Sequence, residues 1–188
     1  MTPRRAPRKS VLRWFTPEVS AEDFFIQPDF NLGQFFYTSE TARRLADALN
    51  SYQRPCCLCT PRLAMEWLRR GRVVRLLDYD ERFRIHPGFR SFDLLKPEPV
   101  HEDFDAVVFD PIFIDASILA RAVRVVLAGS QKADLFMTFP LDRERELLAA
   151  FSAFDLKPMD FSLSCCNIKP DYCGLFRLYG TQPLADSV

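Results

Sequence analysis

The chain has 188 residues, 48% of them hydrophobic and 18 of them phenylalanine. This length suits one domain with a short extension, and the apolar content is enough for a substantial buried core. No run approaches the roughly 18 apolar residues that a membrane span requires, and no signal-peptide segment is recognisable. These observations argue against a membrane partner.

Charge is distributed unevenly, although the 25 basic and 25 acidic residues balance. Residues 1–13 hold five basic and no acidic residues, which leaves 20 basic against 25 acidic, or −5, for the remainder. A basic arm on a mildly acidic body suggests contact with a polyanion such as RNA, although a solubilising terminus is an equal alternative. Such an arm also resembles a mitochondrial transit peptide, but Pro3 and Pro7 disfavour the required helix.

After residues 1–30, a proline-punctuated extension, short apolar runs alternate with helical segments over residues 31–188. Strands are predicted at residues 55–59, 73–77, 89–94, 104–109, 133–139, 159–163 and 173–179. Helices are predicted from Thr38 or Ser39 to about Asn50, from Pro61 to Arg70, and over about 115–128 and 142–154. This order predicts an α/β domain, a mostly parallel sheet with helices on both faces and a closing antiparallel hairpin.

Cysteines occur in two clusters, Cys56, Cys57 and Cys59, and Cys165, Cys166 and Cys173. Cys56 and Cys59 have the spacing of metal ligands, but the second cluster does not repeat it. On a strand these two side chains also point to opposite faces. The cysteines are therefore interpreted as small buried hydrophobes in a reducing compartment, and no metal is expected.

Polar residues follow three of the predicted strands, at the edge where open α/β sheets bind their ligands. These are Thr60 after the first strand, Asp78 and Asp80 after the second, and Asp110 after the fourth. An acid at the end of the second strand can accept both hydroxyls of a ribose. Because no glycine follows the first strand, a pyrophosphate could not approach that turn closely. A cofactor without phosphates, S-adenosylmethionine, fits better.

The segment Asp110-Pro111-Ile112-Phe113 ends the fourth predicted strand. An amine could donate hydrogen bonds to the Asp110 carboxylate and to the Pro111 carbonyl oxygen. These bonds would draw the nitrogen towards tetrahedral geometry and direct its lone pair at a methyl group, so that positioning and electrostatics carry the step. Phe113 offers a face on which a flat base can stack. The alternative is that Asp110 and Pro111 merely end a strand.

With these motifs, the chain resembles the family that contains the elongation factor 1A lysine methyltransferases and the CCHC zinc-finger ribosomal RNA adenine methyltransferase. The resemblance extends from about Asn31 to Tyr179 and rests on four segments, at residues 31–42, 59–61, 77–83 and 104–113. It implies a Rossmann-like class I methyltransferase fold with a seven-stranded sheet. Phe139-Pro140 is more similar to the ribosomal RNA branch.

The resemblance also implies roles for particular residues. Asp110, Pro111 and Phe113 would be catalytic. Asp78 or Asp80 would hold the ribose of S-adenosylmethionine, and Asp93 would lie near its adenine. Gln34, Phe36 and Tyr37 would line the cofactor or acceptor site, and Thr60 is also assigned to the cofactor site.

One departure from the family pattern is Ile112, which replaces a second proline. Proline there acts only through the shape of the loop, so its loss leaves two alternatives, an active enzyme and an inactive methyltransferase fold in a ribonucleoprotein. The leading expectation is methylation of adenine N6 in structured, ribosomal RNA, and the alternative acceptor is a lysine of a translation factor. Neither DNA nor a membrane is expected as a partner. The expected location is intracellular, cytoplasmic or nucleolar, with mitochondria as the alternative.

Overall fold

A computed structural model describes residues 26–111, 113–130 and 132–185. Its centre is one seven-stranded sheet with the order β3-β2-β1-β4-β5-β7-β6. The strands are β1 (Pro55–Leu58), β2 (Arg75–Asp78), β3 (Phe89–Ser91), β4 (Ala106–Phe109), β5 (Asp134–Pro140), β6 (Lys157–Pro158) and β7 (Phe176–Gly180). The first five strands are parallel, and β7 is antiparallel to both β5 and β6. The predicted α/β architecture is therefore confirmed.

Five α-helices accompany the sheet within the described residues. They are α1 (Ser39–Ala48), α2 (Pro61–Arg69), α3 (Ala116–Val126), α4 (Glu144–Ala150) and the short α5 (Pro170–Cys173). Single 3-10 turns lie at Phe30–Leu32, Glu81–Ile85, Leu127–Gly129, Leu141–Arg143 and Ser152–Phe154. Helices α1 and α2 pack together in one apolar cluster, whereas α3 and α4 belong to the cluster on the opposite face.

The central strands are buried on both faces, which explains their continuous apolar sequence. In β1, Cys57 joins the cluster beneath α1 and α2, while Cys56 and Leu58 join the cluster beneath α3 and α4. In β4, Val108 and Phe109 divide between the two clusters in the same way. Because side chains alternate along a strand, every position of these strands is occupied by an apolar side chain.

The closing hairpin differs from its prediction. Residues 159–163 form no strand, and β6 is confined to Lys157–Pro158. Beyond β6 the chain turns to α1 instead of continuing along β7, because Ser164 N donates to Thr41 Oγ1 and Ser164 O accepts from Thr38 N. The predicted strand at 173–179 also begins late, at Phe176, because Pro170 opens the short helix α5.

The cysteines are thiols, of which Cys56, Cys57 and Cys165 are buried. The prediction that Cys56 and Cys59 point to opposite faces is wrong, because β1 ends at Leu58 and both residues pack against the same apolar cluster. Within the described residues, no group of three or more potential ligands could hold a metal ion. No helix in this part of the chain is long and apolar enough to cross a membrane. Residues 1–25 of the predicted basic extension lie outside the described residues.

Candidate active site

A cleft opens at the carboxyl ends of β1, β2 and β4, the edge that the sequence predicts. The N-terminal segment that precedes α1 forms its other wall. Residues that line the cleft are Leu32, Gly33, Gln34, Phe35, Phe36, Cys59, Pro61, Asp78, Tyr79, Asp80, Phe92, Leu94, Leu95, Asp110, Pro111, Phe113 and Ile114. Seven of the ten predicted site residues therefore meet in one place, and the exceptions are Tyr37, Thr60 and Asp93.

The loop after β1 turns without glycine. Cys59 takes the left-handed conformation there, with a φ of 61°, and its N–H donates to Leu77 O over 2.8 Å. Thr60 is buried, and its hydroxyl donates to Val108 O over 3.3 Å. The left-handed conformation of a non-glycine residue costs about 1–2 kcal/mol of stability. Here it is held by the hydrogen bonds from Cys59 to β2 and from Thr60 to β4. Thr60 therefore fixes the loop through its hydrogen bond to β4 and does not line the cleft.

The two acids after β2 have different surroundings. Asp80 accepts at both oxygens: Oδ1 from Arg82 N and Nε, each over 3.0 Å, and Oδ2 from Arg82 Nη2 over 2.6 Å and Gln34 Nε2 over 2.7 Å. Burial acts to raise the pKa of Asp80, but the hydrogen bonds from Arg82 and Gln34 outweigh it and hold the pKa below its ordinary value. Since a carboxylate offers about four acceptor positions, Asp80 is saturated by protein donors.

Asp78 is the last residue of β2, and its carboxylate borders the cleft. Its Oδ1 accepts from Asp80 N over 2.9 Å, which aligns the carboxyl group with the turn. The neighbouring wall is apolar and includes Phe92, Leu94 and Leu95. Asp93 lies between these side chains in sequence, but its Oδ1 accepts from Leu95 N over 2.9 Å and it does not line the cleft.

Asp110 follows β4 and is only 4% exposed. Burial raises its pKa well above the usual range, the nearby Asp78 carboxylate adds to the rise, and a hydrogen bond with the Tyr37 hydroxyl opposes it. Tyr37 Oη also lies 2.7 Å from Thr138 Oγ1. Among the described residues, no lysine or arginine forms an ion pair with Asp110. The site therefore contains a buried acid that has no basic partner in the part of the chain that the structure describes, and Tyr37 contacts this acid from outside the cleft.

The loop beyond Asp110 carries the other two predicted catalytic residues. Pro111 O accepts from Ile114 N over 3.1 Å, which closes a turn and leaves its second lone pair available. The Phe113 side chain packs against Gly33, where a Cβ atom would lie 2.9 Å from Phe113 Cδ2. Gly33 has a φ of +63°, so it serves both the backbone conformation and this close approach. Ile112 lies outside the described residues.

Sequence reasoning missed two residues that hold the N-terminal wall. Besides its bonds to Asp80, the Arg82 guanidinium donates from Nη2 to Gln34 Oε1 over 3.1 Å and from Nη1 to Gln27 O over 2.9 Å. Asn167 is fully buried and bonds both Phe36 and Gln34. Arg82 lies in the segment 77–83 on which the family resemblance rests, but the resemblance implies no role for it, whereas no local pattern marks Asn167.

Comparison with known proteins shows what this arrangement resembles. The family model described as "Probable N6-adenine methyltransferase" matches residues 28–176. EEF1A lysine methyltransferase 1 of Mus musculus is 30% identical over 114 residues, 54% of this chain and 53% of that protein. The protein of the same name from Gallus gallus is 29% identical over 114 residues, 54% of each. The chain thus spans about half the length of these curated relatives.

Solved structures share the fold at low sequence identity. Thermoplasma acidophilum protein 1320 has a TM-score of 0.51 and 15% identity, with 77% of this chain and 85% of that chain covered. The T. Thermophilus 16S rRNA N2 G1207 methyltransferase, in complex with AdoMet and guanosine, has a TM-score of 0.50 and 10% identity, with 79% and 40% covered. The fold is that of class I methyltransferases. Because the family model covers most of its length, the chain belongs to the N6-adenine methyltransferase family.

Proposed function

We propose that this chain is an S-adenosylmethionine-dependent N-methyltransferase that acts on a lysine side chain of a translation factor. Family membership and the class I fold support methyl transfer and its cofactor. The observation that carries the proposal is Asp110, a buried acid at the end of β4 with a raised pKa and no basic partner among the described residues.

The chemistry of the cleft fits S-adenosylmethionine. Asp78 supplies acceptors for the ribose hydroxyls, whereas Asp80 is saturated by Arg82 and Gln34. We therefore assign the ribose to Asp78 alone. Phe92 and Leu94 offer an apolar wall for the adenine ring, and the loop after β1 contains none of the glycines with which phosphate-binding loops approach their ligand. When bound, the cofactor supplies an activated methyl group on a positively charged sulfur.

Asp110 and Pro111 can orient the acceptor nitrogen. The amine donates one hydrogen bond to the Asp110 carboxylate and another to the free lone pair of Pro111 O, which directs the nitrogen's own lone pair into the cleft. Tyr37, backed by Thr138, holds the Asp110 carboxyl in place. Positioning of the nitrogen in line with the methyl group accounts for much of the barrier reduction in a transfer of this kind.

The positive charge of a lysine side chain favours lysine over the neutral adenine as the acceptor. An ammonium group that enters beside Asp110 neutralises a carboxylate that burial and Asp78 otherwise destabilise. The pair can then pass a proton to solvent and leave a neutral amine for methylation. The relatives named as EEF1A lysine methyltransferases support the same choice.

Adenine N6 in structured RNA is the second candidate. The Phe113 ring lies beside Asp110 and Pro111 at the cleft, where a flat base could stack. Phe139 and Pro140 at the end of β5 also resemble the ribosomal RNA branch. In that case the partner would be RNA, presented alone or within a ribonucleoprotein particle.

A direct assay separates the two acceptors. Purified protein is incubated with labelled S-adenosylmethionine and either elongation factor 1A or total RNA, and the products are digested and analysed by mass spectrometry. We expect methyl-lysine on the protein acceptor and no N6-methyladenine, with both signals absent in Asp110→Ala. Methylated adenine without methyl-lysine would reverse the assignment. Phe113→Ala should impair base methylation much more than lysine methylation, because a lysine has no ring to stack.

Calorimetric titration with S-adenosylmethionine tests the remaining alternative, an inactive fold that assembles with RNA and protein. Saturable binding at one site per chain is expected. A wild-type chain that is folded but binds no cofactor would contradict the proposed enzyme. Action inside the cell, in the cytoplasm or nucleolus, is part of the same proposal and is tested by imaging the tagged protein.

A further inference from the structure

The N-terminal wall of the cleft is attached to the C-terminal part of the chain through one buried amide. Asn167 Oδ1 accepts from Phe36 N over 2.8 Å, and Asn167 Nδ2 donates to Gln34 O over 3.0 Å. The reversed amide would place donor against donor, so these two partners define its orientation. Asn167 is 0% exposed, and its partners lie 131 and 133 positions earlier in the chain.

These hydrogen bonds act on the residues that line the cleft. Gln34 and Phe36 both border it, and the segment between them also carries Phe35. A backbone bond from Cys166 N to Phe36 O, 2.9 Å long, supports the same attachment. On its other side the wall is held by Gln34 Nε2, which donates over 2.7 Å to Oδ2 of Asp80 in the turn after β2. Asn167 is therefore one of the attachments that fix the wall, and it is the one made by a fully buried side-chain amide.

A buried amide with both polar atoms bonded to backbone is well suited to set the position of a segment. Neither Gln34 O nor Phe36 N is paired within a helix or strand, because the chain between Gly33 and α1 makes only an isolated bridge, at Tyr37. Removal of the Asn167 amide would take the side-chain acceptor from the buried Phe36 N and the side-chain donor from the partly buried Gln34 O. The wall would then have to be ordered by the ligand itself.

We propose that Asn167 is a positioning residue that holds the cleft wall in its binding-competent conformation and so sets the affinity for S-adenosylmethionine. This inference rests on the proposed function, because it assumes that the cleft binds that cofactor. Asn167 contacts the wall and takes no part in methyl transfer. Its loss should therefore raise the dissociation constant and the KM for the cofactor, while kcat at saturating cofactor changes little.

Asn167→Ala is tested by calorimetric titration with S-adenosylmethionine well below the melting temperature. We expect about tenfold weaker binding, since an unsatisfied buried group costs roughly the free energy of a tenfold change. Asn50→Ala is the matched control, because Asn50 is exposed after α1 and away from the cleft. Unchanged affinity in folded Asn167→Ala would overturn the proposal. Absence of binding by the wild-type chain would instead contradict the proposed function.

Asn167→Asp provides a second test, which can be carried out even if Asn167→Ala does not fold. A protonated carboxyl has one donor and one acceptor and can replace the amide, whereas the ionised form repels Gln34 O. Burial raises the pKa of such a carboxyl. The ratio of variant to wild-type affinity should therefore be near one at about pH 5 and fall roughly tenfold by about pH 8.5. Asn50→Asp should show no such trend, and a ratio for Asn167→Asp that is equally low at both pH values would contradict the proposal.

Discussion

The two walls of the cleft are built in different ways. The strand-end wall consists of Cys59, Asp78 and Asp110, which directly follow or end the parallel strands β1, β2 and β4. The N-terminal wall, from Gly33 to Tyr37, has little regular structure and is held by side chains from distant parts of the chain. The sheet therefore places the polar chemistry, while individual hydrogen bonds place the surface that faces it. Substitution of Asp110 in the first wall should affect the chemistry, whereas substitutions of Asp78 and of residues in the second wall should affect affinity.

Asp110→Asn tests the strand-end wall and should have the largest effect. We expect the rate of methyl transfer to fall by about a hundredfold or more, because an amide cannot neutralise an incoming cation or accept two hydrogen bonds as well. Steady-state assays at saturating cofactor measure this loss. Asp155→Asn is the control, since Asp155 is exposed and its left-handed backbone suits asparagine. A comparable loss in the control would contradict the assignment.

The same substitution should also change the pH dependence of stability. Because burial raises the pKa of Asp110 in the folded state, its contribution to stability is fully present below the unfolded-state pKa of about 4 and is lost as pH rises towards the folded-state pKa. Relative to Asp110→Asn, the free energy of unfolding of the wild type should fall by up to about 1.4 kcal/mol per pH unit in that range. Urea denaturation at a series of pH values measures it. A constant difference at all pH values would contradict the raised pKa.

Asp78→Asn and Asp80→Asn separate the two acids at the end of β2. We expect Asp78→Asn to weaken cofactor binding about 10-fold to 100-fold, because hydrogen bonds to a charged group are lost. Asp80→Asn should weaken it less and should lower the melting temperature more, since Asp80 bonds Arg82 and Gln34. Calorimetry and thermal melts compare the two variants. The reverse order would assign the ribose to Asp80.

Gly33→Ala and Gly71→Ala are a matched pair for the N-terminal wall. Both glycines have positive φ, at 63° and 79°, so both substitutions should destabilise the chain by about 1–2 kcal/mol. The two glycines differ in their surroundings. A Cβ atom at Gly33 would lie 2.9 Å from Phe113 Cδ2, whereas nothing lies within 4 Å of a Cβ atom at Gly71. Gly33→Ala should therefore raise the KM for the cofactor about tenfold through displacement of the cleft wall that Gly33 and Phe113 form, and Gly71→Ala should not. Equal KM values would show that the contact has no functional role.

Arg82→Lys should have the smallest effect. Lysine keeps the charge but cannot bond both oxygens of Asp80, Gln34 and Gln27 together. We expect cofactor affinity to fall about twofold to threefold, because the pair with Asp80 is partly exposed to solvent. Arg84→Lys is the control, as its ion pair with Glu81 is exposed and outside the cleft. A larger loss than in Asn167→Ala would make Arg82 the dominant attachment of the wall.

The strand-end wall could be predicted because its signals are local. An apolar run that stops at Asp110-Pro111 indicates a buried strand and the position of its carboxyl end, whatever the fold of the rest of the chain. The hairpin strand at 159–163 was predicted by the same reasoning and is wrong, because Ser164 bonds α1. Asn167 could not be found in this way, because its partners lie more than 130 positions away.

By itself, the sequence determined the α/β class, the order of the elements and the edge of the sheet at which Asp78 and Asp110 meet. These follow from apolar periodicity and from the need of buried backbone groups for hydrogen bonds, which act over a few residues. Only the tertiary structure decided that Asp80 is saturated by Arg82 and Gln34, that Asp110 has a raised pKa, and that Asn167 holds the wall. Burial and hydrogen bonding at these positions depend on residues distant in the chain, which only the packed fold brings together.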